Sequence, residues 1–558
     1  MTLGSLLIVA TVHRSSWAGT AAGEATYLMQ AESLARDFDL TYTRADFDRQ
    51  LLRWYSDPAD LALISGSEGR RITFDRPFPY ALWLAPFVAL WPKAGAAVAN
   101  GLLLALASLL ASLALRPQAG GWAPLWVMVM VFGSAVFAFV VPATGEVFLL
   151  AATVVAFSLL IGVRAWGGGF LAGALLAIPL ATDWLYALLL AAAWWVPAAD
   201  AASADGRPAV RRGLALGAAS MLAAIVLVHW LAGGGLLFAS SGFRFTAATG
   251  YPLVDFTAGE WSSTIRHFED IAAGAGTPFR WDPELRLWSF VDLLFGRSIG
   301  LVPYFAPLIL LLGGGSTRGF RRPIAVAAGV WLAAVVVLRP FAVAGGSAGL
   351  ANPLFLPFFG ALWLVQDRRR RRRRLAAGAA ATALVAALFM GELWRHPGAA
   401  AARPGAGGGH ETAAARRWLA YETSQRWRLG GAVAELGDLA VAAVGDAAWV
   451  EARHQRVMLD GGAAELVISA SRPLTAVRVD LEGAAAEQLR LRGGRIEPLE
   501  DPRDRESSSR LVLTGVRRRH SSWWSSRRSY QYVLALELPP SSGAVSLRLG
   551  EAADRGSE

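Results

Sequence analysis

From residue 2 to about residue 393 the chain alternates long apolar runs with short polar connections, and beyond that point apolar positions begin to alternate one by one with polar ones. An apolar run of about 18 residues or more is long enough to cross the roughly 30 Å hydrocarbon layer of a bilayer. On that pattern the expected spans are 2–13, 94–115, 122–141, 146–163, 168–183, 184–197, 213–233, 299–315, 323–341, 353–366 and 375–393. The run at 2–13 has neither a basic leader nor a small-residue cleavage site, so it reads as a short first span and not as a removable signal. The run at 77–92, PFPYALWLAPFVALWP, is short and carries Pro79 and Pro86 inside it, which predicts an interfacial or re-entrant helix.

Charge fixes the orientation. With 77–92 left out of the count, Arg116, Arg164, Arg207, Arg211, Arg212, Arg318, Arg321, Arg322 and the Arg368–Arg374 run all fall on one side, while loops 142–145 and 342–352 carry no Lys or Arg. Positively charged short loops stay on the cytoplasmic side. Residues 14–93, 234–298 and everything after 394 then face outward, which predicts a bacterial inner (cytoplasmic) membrane protein with its chemistry and its C-terminal domain on the periplasmic or extracellular side. The net charge of +10 is absorbed by this distribution. The seven-arginine run reads as an anchor at anionic lipid, and no nucleic-acid partner is expected. A content of 54% hydrophobic and 17% charged residues excludes an ordinary soluble enzyme, and the absence of cysteine excludes disulfides and thiolate metal sites.

One acidic stretch stands out against this background. In GEATYLMQAESLARDFDLTY (Gly23 to Tyr42), apolar Tyr27, Leu28, Ala31, Leu34 and Ala35 recur at helical spacing, with Glu24, Glu32, Asp37 and Asp39 between and after them. That spacing predicts an amphipathic helix lying along the membrane surface, its acids on the solvated face.

The order of motifs resembles the GT-C superfamily, polytopic glycosyltransferases that use polyprenyl-phosphate-linked sugars and include protein O-mannosyltransferases and the lipid A aminoarabinose transferase. The match runs E-x-x-Y-L-x-x-A-x-S-L-x-x-D-x-D-L from Glu24 to Leu40, then RPFPYALWLAPF (76–87), VVPATGEVFLL with Glu146, LLFGRSIGLVPYFAPLILLL, and GGSAGLANPLFLPF with Asn352. It covers roughly residues 1–395. The chain departs at Gly23, where members often carry Asp, and at Pro353, where an arginine is expected next to Asn352.

The resemblance implies a membrane glycosyltransferase that moves a sugar from a polyprenyl-phosphate donor to an extracytoplasmic glycan, lipid or protein by direct inverting attack. It makes Glu24, on the outer loop 14–93, the base that deprotonates the acceptor hydroxyl. Tyr27, Glu146, Arg76, Arg297 and Asn352 become substrate contacts. Arg244, Arg266 and His267 share their face as further cations for the phosphate. Glu24 with Glu146 becomes the candidate holder of a divalent Mg or Mn ion through oxygen ligands. Two alternatives stay open: a polytopic transporter or lipid flippase, and a non-catalytic GT-C-like assembly subunit.

The tail has its own pattern. Period-two runs AELVISA, TAVRVDL, EQLRLR, SRLVLTGV, YQYVLALEL and AVSLRL, split by Gly, Pro and Asp, predict a small antiparallel β-sandwich over 430–558. Trp523 and Trp524, with Tyr530 and Tyr532 among arginines, are candidates to stack on sugar rings or to sit at the bilayer interface. The expected fold class is thus a mainly α polytopic membrane protein of about eleven helices (residues 1–395), a linker with a short helix (396–429), and a soluble β-sandwich (430–558).

Overall fold

The computed structural model describes residues 24–54, 61–65, 72–163, 165–196, 207–232, 244–247, 283–296, 300–312, 321–338, 351–365 and 372–395, the strands of the C-terminal region, and a few isolated positions. The expected span 2–13, the short helix expected within 409–428, Arg266, His267, Arg297, Trp523 and Trp524 lie outside the described residues.

The chain enters through α1 (Glu24–Arg36), α2 (Arg44–Trp54), the short strands β1 (Leu61–Ser65) and β2 (Ile72–Phe74), and α3 (Phe78–Leu90). Then follow α4 (Gly95–Ala119), α5 (Ala123–Phe132), α6 (Glu146–Gly162), α7 (Trp166–Thr182), α8 (Ala187–Trp195) and α9 (Arg207–Leu231). After β3 (Arg244–Ala247) come α10 (Pro283–Phe295), the one-turn α11 (Leu301–Tyr304) and α12 (Leu308–Leu312), α13 (Arg321–Leu338), α14 (Leu356–Leu362) and α15 (Arg372–Arg395).

Two of the described helices are long and apolar enough to cross a membrane: the run Gly95–Phe132, which joins α4 to α5 through one turn of 3-10 helix, and α9. Both leave most of their apolar surface unburied. On α4, Leu106, Leu109 and Leu113 form an exposed row at helical spacing, and α9 exposes Leu216, Leu227, Trp230 and Leu231. Among the described residues, the other expected spans, apart from 299–315, coincide with apolar stretches of 10–17 residues, which for the 24-residue α15 is Ala377–Gly391. The cause is visible in the sequence: the run at 299–315 is broken between Phe305 and Pro307 into α11 and α12, and the run at 353–366 starts with a 3-10 turn over Pro353–Phe355. The helix at 77–92 forms as expected, with Pro79 in its first turn, where proline costs no hydrogen bond, and with Pro86 internal.

The tightest helix contact is between α7 and α9. Gly169 and Gly173 on one helix meet Gly213 and Gly217 on the other, so each backbone rests against its neighbour's. A Cβ on Gly173 would come within 2.0 Å of the Leu214 carbonyl oxygen, and one on Gly217 within 1.9 Å of that of Phe170. Small residues four apart on both partners are the usual means of bringing two apolar helices this close. Elsewhere the core is filled by large rings: Trp331 packs on Phe355 and Phe358, and the indole N–H of Trp126 donates to the Trp363 carbonyl at 2.8 Å, tying α5 to the end of α14.

A small antiparallel sheet runs in the order β2-β1-β3, so a strand from the 234–298 connection is laid beside a hairpin from 61–74. Arg244 opens β3 and is paired in register with Ile64.

All six strands expected in the tail are present, as β8 (Gly462–Ala470), β9 (Ala476–Glu482), β10 (Arg490–Arg492), β12 (Ser509–Val512), β14 (Ser529–Leu538) and β15 (Ala544–Leu549). They are joined by β4 (Ala434–Leu436), β5 (Leu439–Val444), β6 (Ala448–Glu451), β7 (Arg456–Asp460), β11 (Arg495–Pro498) and β13 (Arg518–His520). Two antiparallel sheets result. One runs β10-β14-β8-β5-β4, with β13 also on β14, and the other β11-β12-β9-β15-β7-β6. Leu466 and Leu534 are cross-strand partners and both fully buried, as is Leu536 two residues on, so one face of the first sheet is a core face. Tyr530 and Tyr532 lie in β14.

Candidate active site

Three chain segments that are remote in sequence meet at the start of α1: α1 itself, the turn between β2 and α3 with Asp75 and Arg76, and the 142–146 segment that leads into α6. α1 is favoured by Glu24 in its first turn and Arg36 in its last, each complementing the helix dipole, and by a Glu32–Arg36 ion pair at 3.0 Å. It ends where Phe38 takes a left-handed conformation (φ 58°), with the Ser33 hydroxyl donating to the Asp39 carboxylate at 2.7 Å.

The surface helix expected from the spacing is corrected here. Every residue from Glu24 to Ser33 is buried, polar positions included. The reason is that the polar side of α1 is covered by protein as well as the apolar side. The Ala143 N–H donates to Glu24 Oε1 at 2.7 Å, and Gln30 Nε2 donates to the Arg76 carbonyl at 2.9 Å. The apolar side packs on α3 through Tyr27, Leu28, Ala31, Tyr80 and Leu84.

Tyr27 is the centre of the arrangement. Its ring stands edge-on to Tyr80 with centroids 4.9 Å apart, and the Arg76 guanidinium lies over it at 5.8 Å. Gly145, in the left-handed region at φ 85°, brings the 142–146 segment against the phenol, where a Cβ would stand 3.2 Å from the hydroxyl oxygen. Burial pushes the Tyr27 phenol up to about 12, against the opposing pull of Arg76, so it remains a neutral hydrogen-bonding group and never serves as a base near neutral pH. Glu146 is the first residue of α6, and Arg76 and Glu24 are the charges it senses. Glu146 Oε2 has no hydrogen-bond partner.

Arg76 faces two ways. Beyond its contact with Tyr27, it borders a narrow cavity with Gln30, Thr73 and, from the last turn of α9, His229. Gln30 Oε1, Thr73 Oγ1 and Arg76 Nε have no hydrogen-bond partners there. The gap is too tight, as described, to admit a water molecule, so these three atoms are buried polar groups beside a closed cleft.

The structure therefore gathers Glu24, Tyr27, Arg76 and Glu146, all four singled out in the sequence. Asn352 is placed differently: it is fully buried, and its Oδ1 accepts from Leu354 N at 3.1 Å, capping the turn that precedes α14. Among the described residues no three His, Asp or Glu side chains gather closely enough to hold a metal ion. Glu24 and Glu146 would need substrate or water oxygens to complete a shell around a divalent cation.

Sequence reasoning passed over several residues that the fold makes prominent. His229 and Gln30 border the Arg76 cavity, and Arg286, Ser289 and Asp292 form a buried polar face of α10. The signal for the last three was their spacing of three, which places them on one helical face.

Beside this cluster, the start of α2 is held by Asp46, which reaches back to Thr43. Thr43 N–H and its hydroxyl both meet Asp46 Oδ2 at 2.8 Å, and Arg49 bridges Asp46 Oδ1 at 2.7 Å to Asp37. Burial pushes the Asp46 carboxyl up to about 6, with the Thr43 hydrogen bonds and Arg49 pulling the other way. The folded chain thus holds a proton on Asp46 at pH values where the unfolded chain has lost it. Stability from this group is present at low pH and is lost as pH rises through about 6. Asp46 is expected to contribute roughly 1 kcal/mol of added stability on acidification from pH 7 to pH 5, across the folded-state value of about 6. The Asp46→Asn variant should lack that slope; equal pH slopes in thermal melts of the two proteins would contradict it.

No protein-family model matches the chain, and no curated protein matches it. Among solved structures, the chain is similar to the arabinosyltransferase EmbB from Mycobacterium smegmatis, determined by single-particle cryo-EM, at 11% identity and a TM-score of 0.28. The alignment covers 99% of this chain and 64% of EmbB, so the chain spans less than two thirds of that protein's length. A likeness at this TM-score carries no inference about activity.

Proposed function

We propose that the chain is a membrane glycosyltransferase of GT-C type, taking a sugar from a polyprenyl-phosphate donor at the outer face of the bilayer. The observation that carries this reading is the meeting of Glu24, Tyr27, Arg76 and Glu146, drawn from three separate segments, at one place beside the apolar helices. The order of motifs from Glu24 to Asn352 supports it from the sequence side. The exposed leucine and tryptophan rows of α4 and α9 suit lipid contact, and in this reading the two tail sheets form a sandwich that lies on the outer side.

In this reading Glu24 removes the proton from an acceptor hydroxyl, whose oxygen attacks the anomeric carbon. The bond from that carbon to the phosphate oxygen breaks, its electron pair stays on the phosphate, and polyprenyl phosphate leaves. Arg76 supplies the positive charge that the departing phosphate needs: its Nε is buried without a hydrogen-bond partner, and a phosphate reaches it only when the site opens. The Ala143 N–H stabilises Glu24 as a carboxylate and fixes its orientation. Since Glu24 is fully buried, the acceptor reaches it only in an arrangement more open than the one described.

That same burial favours a second reading, in which Glu24 is a structural clamp for the 142–146 segment and the chain is a non-catalytic assembly subunit. Incubating the purified chain with polyprenyl-phosphate-linked pentoses and hexoses, and measuring free polyprenyl phosphate, separates the two. Release that depends on the chain is expected. Its absence across the donor panel, with and without glycan acceptors, would leave the assembly reading standing.

A further inference from the structure

Asn100 is the buried polar residue of α4 nearest its outer end, one turn and a half from Gly95. It sits in a run of Ala, Gly and Leu, where an amide is costly unless every polar atom finds a partner. Its partners are all supplied. Oδ1 accepts from the Tyr80 hydroxyl at 3.0 Å, and Nδ2 donates to the Val140 carbonyl at 3.2 Å and to the Pro142 carbonyl at 3.1 Å. One side chain therefore joins three elements: α4, α3 through Tyr80, and the 140–142 backbone.

The next peptide along that backbone is the one that grips Glu24. Pro142 is held by Asn100, and the N–H of Ala143, immediately after it, donates to Glu24 Oε1 at 2.7 Å. On its other side Asn100 holds Tyr80, whose ring sets the edge-on position of Tyr27 and so the surface on which Arg76 lies. Asn100 thus fixes both sides of the Glu24–Tyr27–Arg76 cluster without touching it.

We infer that Asn100 is a positioning residue for the Glu24 carboxylate, acting through the 140–143 backbone on one side and Tyr80 on the other. An amide is required for this job. Only a group with an acceptor and two donors satisfies a phenol and two carbonyls at once. Aspartate has the same shape and keeps the bond from Tyr80, but it turns two attractive contacts with carbonyl oxygens into repulsive ones. Alanine removes all three. The catalytic side of the inference rests on the glycosyl-transfer reading above; the anchoring side does not.

The test uses the full-length chain in detergent or nanodiscs, with Asn100→Asp as the shape-preserving variant and Asn100→Ala as the second. Amide exchange is followed in peptides spanning 139–146, and in the bodies of α4 and α6 as internal references. The expected result is a loss of protection in 139–146 of about tenfold or more in both variants, with α4 and α6 unchanged. Sugar transfer should show kcat reduced by about tenfold to a hundredfold, the scale on which misplacing a reacting group by about 1 Å acts, with KM within about twofold of wild type. Unchanged exchange at 139–146 would overturn the inference. So would an equal loss of protection throughout α4 and α6, or a raised KM at constant kcat. A wild-type chain without transfer activity would remove the glycosyltransferase reading instead, and the exchange result alone would then decide whether Asn100 anchors the segment.

Discussion

Glu24→Gln is expected to lower glycosyl transfer by about 10²-fold or more while leaving the fold in place, the scale on which loss of a general base acts. The substitution keeps the shape of the side chain and keeps an oxygen able to accept from Ala143 N–H, so the 142–146 segment stays docked on α1. What disappears is the capacity to take a proton. The loss should fall on kcat, since in the proposed reaction the donor is held by its lipid tail and Arg76 and not by the carboxylate. Monodispersity and melting temperature close to wild type are the necessary companions of that result. Full activity in Glu24→Gln would remove Glu24 from the chemistry and return it to the structural role that its complete burial also permits. Glu146, with Oε2 unpartnered, would then be the acid to replace.

Gly217→Ala is expected to have the largest effect on stability. A single methyl there would stand 1.9 Å from the Phe170 carbonyl oxygen, a backbone atom that cannot turn away as a side chain would. The α7–α9 pair must separate to accept it, and overpacking of this kind costs about 1 to 3 kcal/mol, with larger side chains costing more. Gly329 on α13 is the internal control, because nothing lies within 4 Å of a Cβ built on it. Gly329→Ala should be neutral or gain up to about 1 kcal/mol from helix propensity. Equal melting temperatures for the two alanine variants would show that the α7–α9 contact is looser than described. Because His229 and Ile225 of α9 border the Arg76 cavity, Gly217→Ala should also disturb that cavity from about two turns away.

The apolar helices were legible in the sequence because apolar runs and their breaks are local signals, and α1 was legible from the spacing of Tyr27, Leu28 and Ala31, whereas the more polar α2 and α10 fell in stretches read as loops. The burial of α1 was not. Sequence periodicity separates an apolar from a polar face, but it does not reveal that Ala143 and Arg76 come back over the polar one. In the tail, β8 and β14 announce themselves by clean alternation, whereas β5, LAVAAV, lacks polar residues and offers no period. β4, β11 and β13 are too short to show one. Glu24, Arg76 and Glu146 were found through the order of motifs, while Asn100 and His229 were missed. Each lies in a largely apolar stretch of its helix, and only its partners say what it is for.

The pairing of β1 with β3 sets a timetable for biosynthesis. β1 and β2 leave the ribosome almost together and close at once, but β3 follows roughly 180 residues later, after α9 has been made. At about 5 to 20 residues per second this leaves the free edge of β1 waiting for roughly 10 to 40 s. During that interval the edge is open to other extended chains. The β2-β1-β3 sheet can therefore be completed only once the intervening helices have been made, so a chain stalled among those helices would be reported as an unfinished sheet.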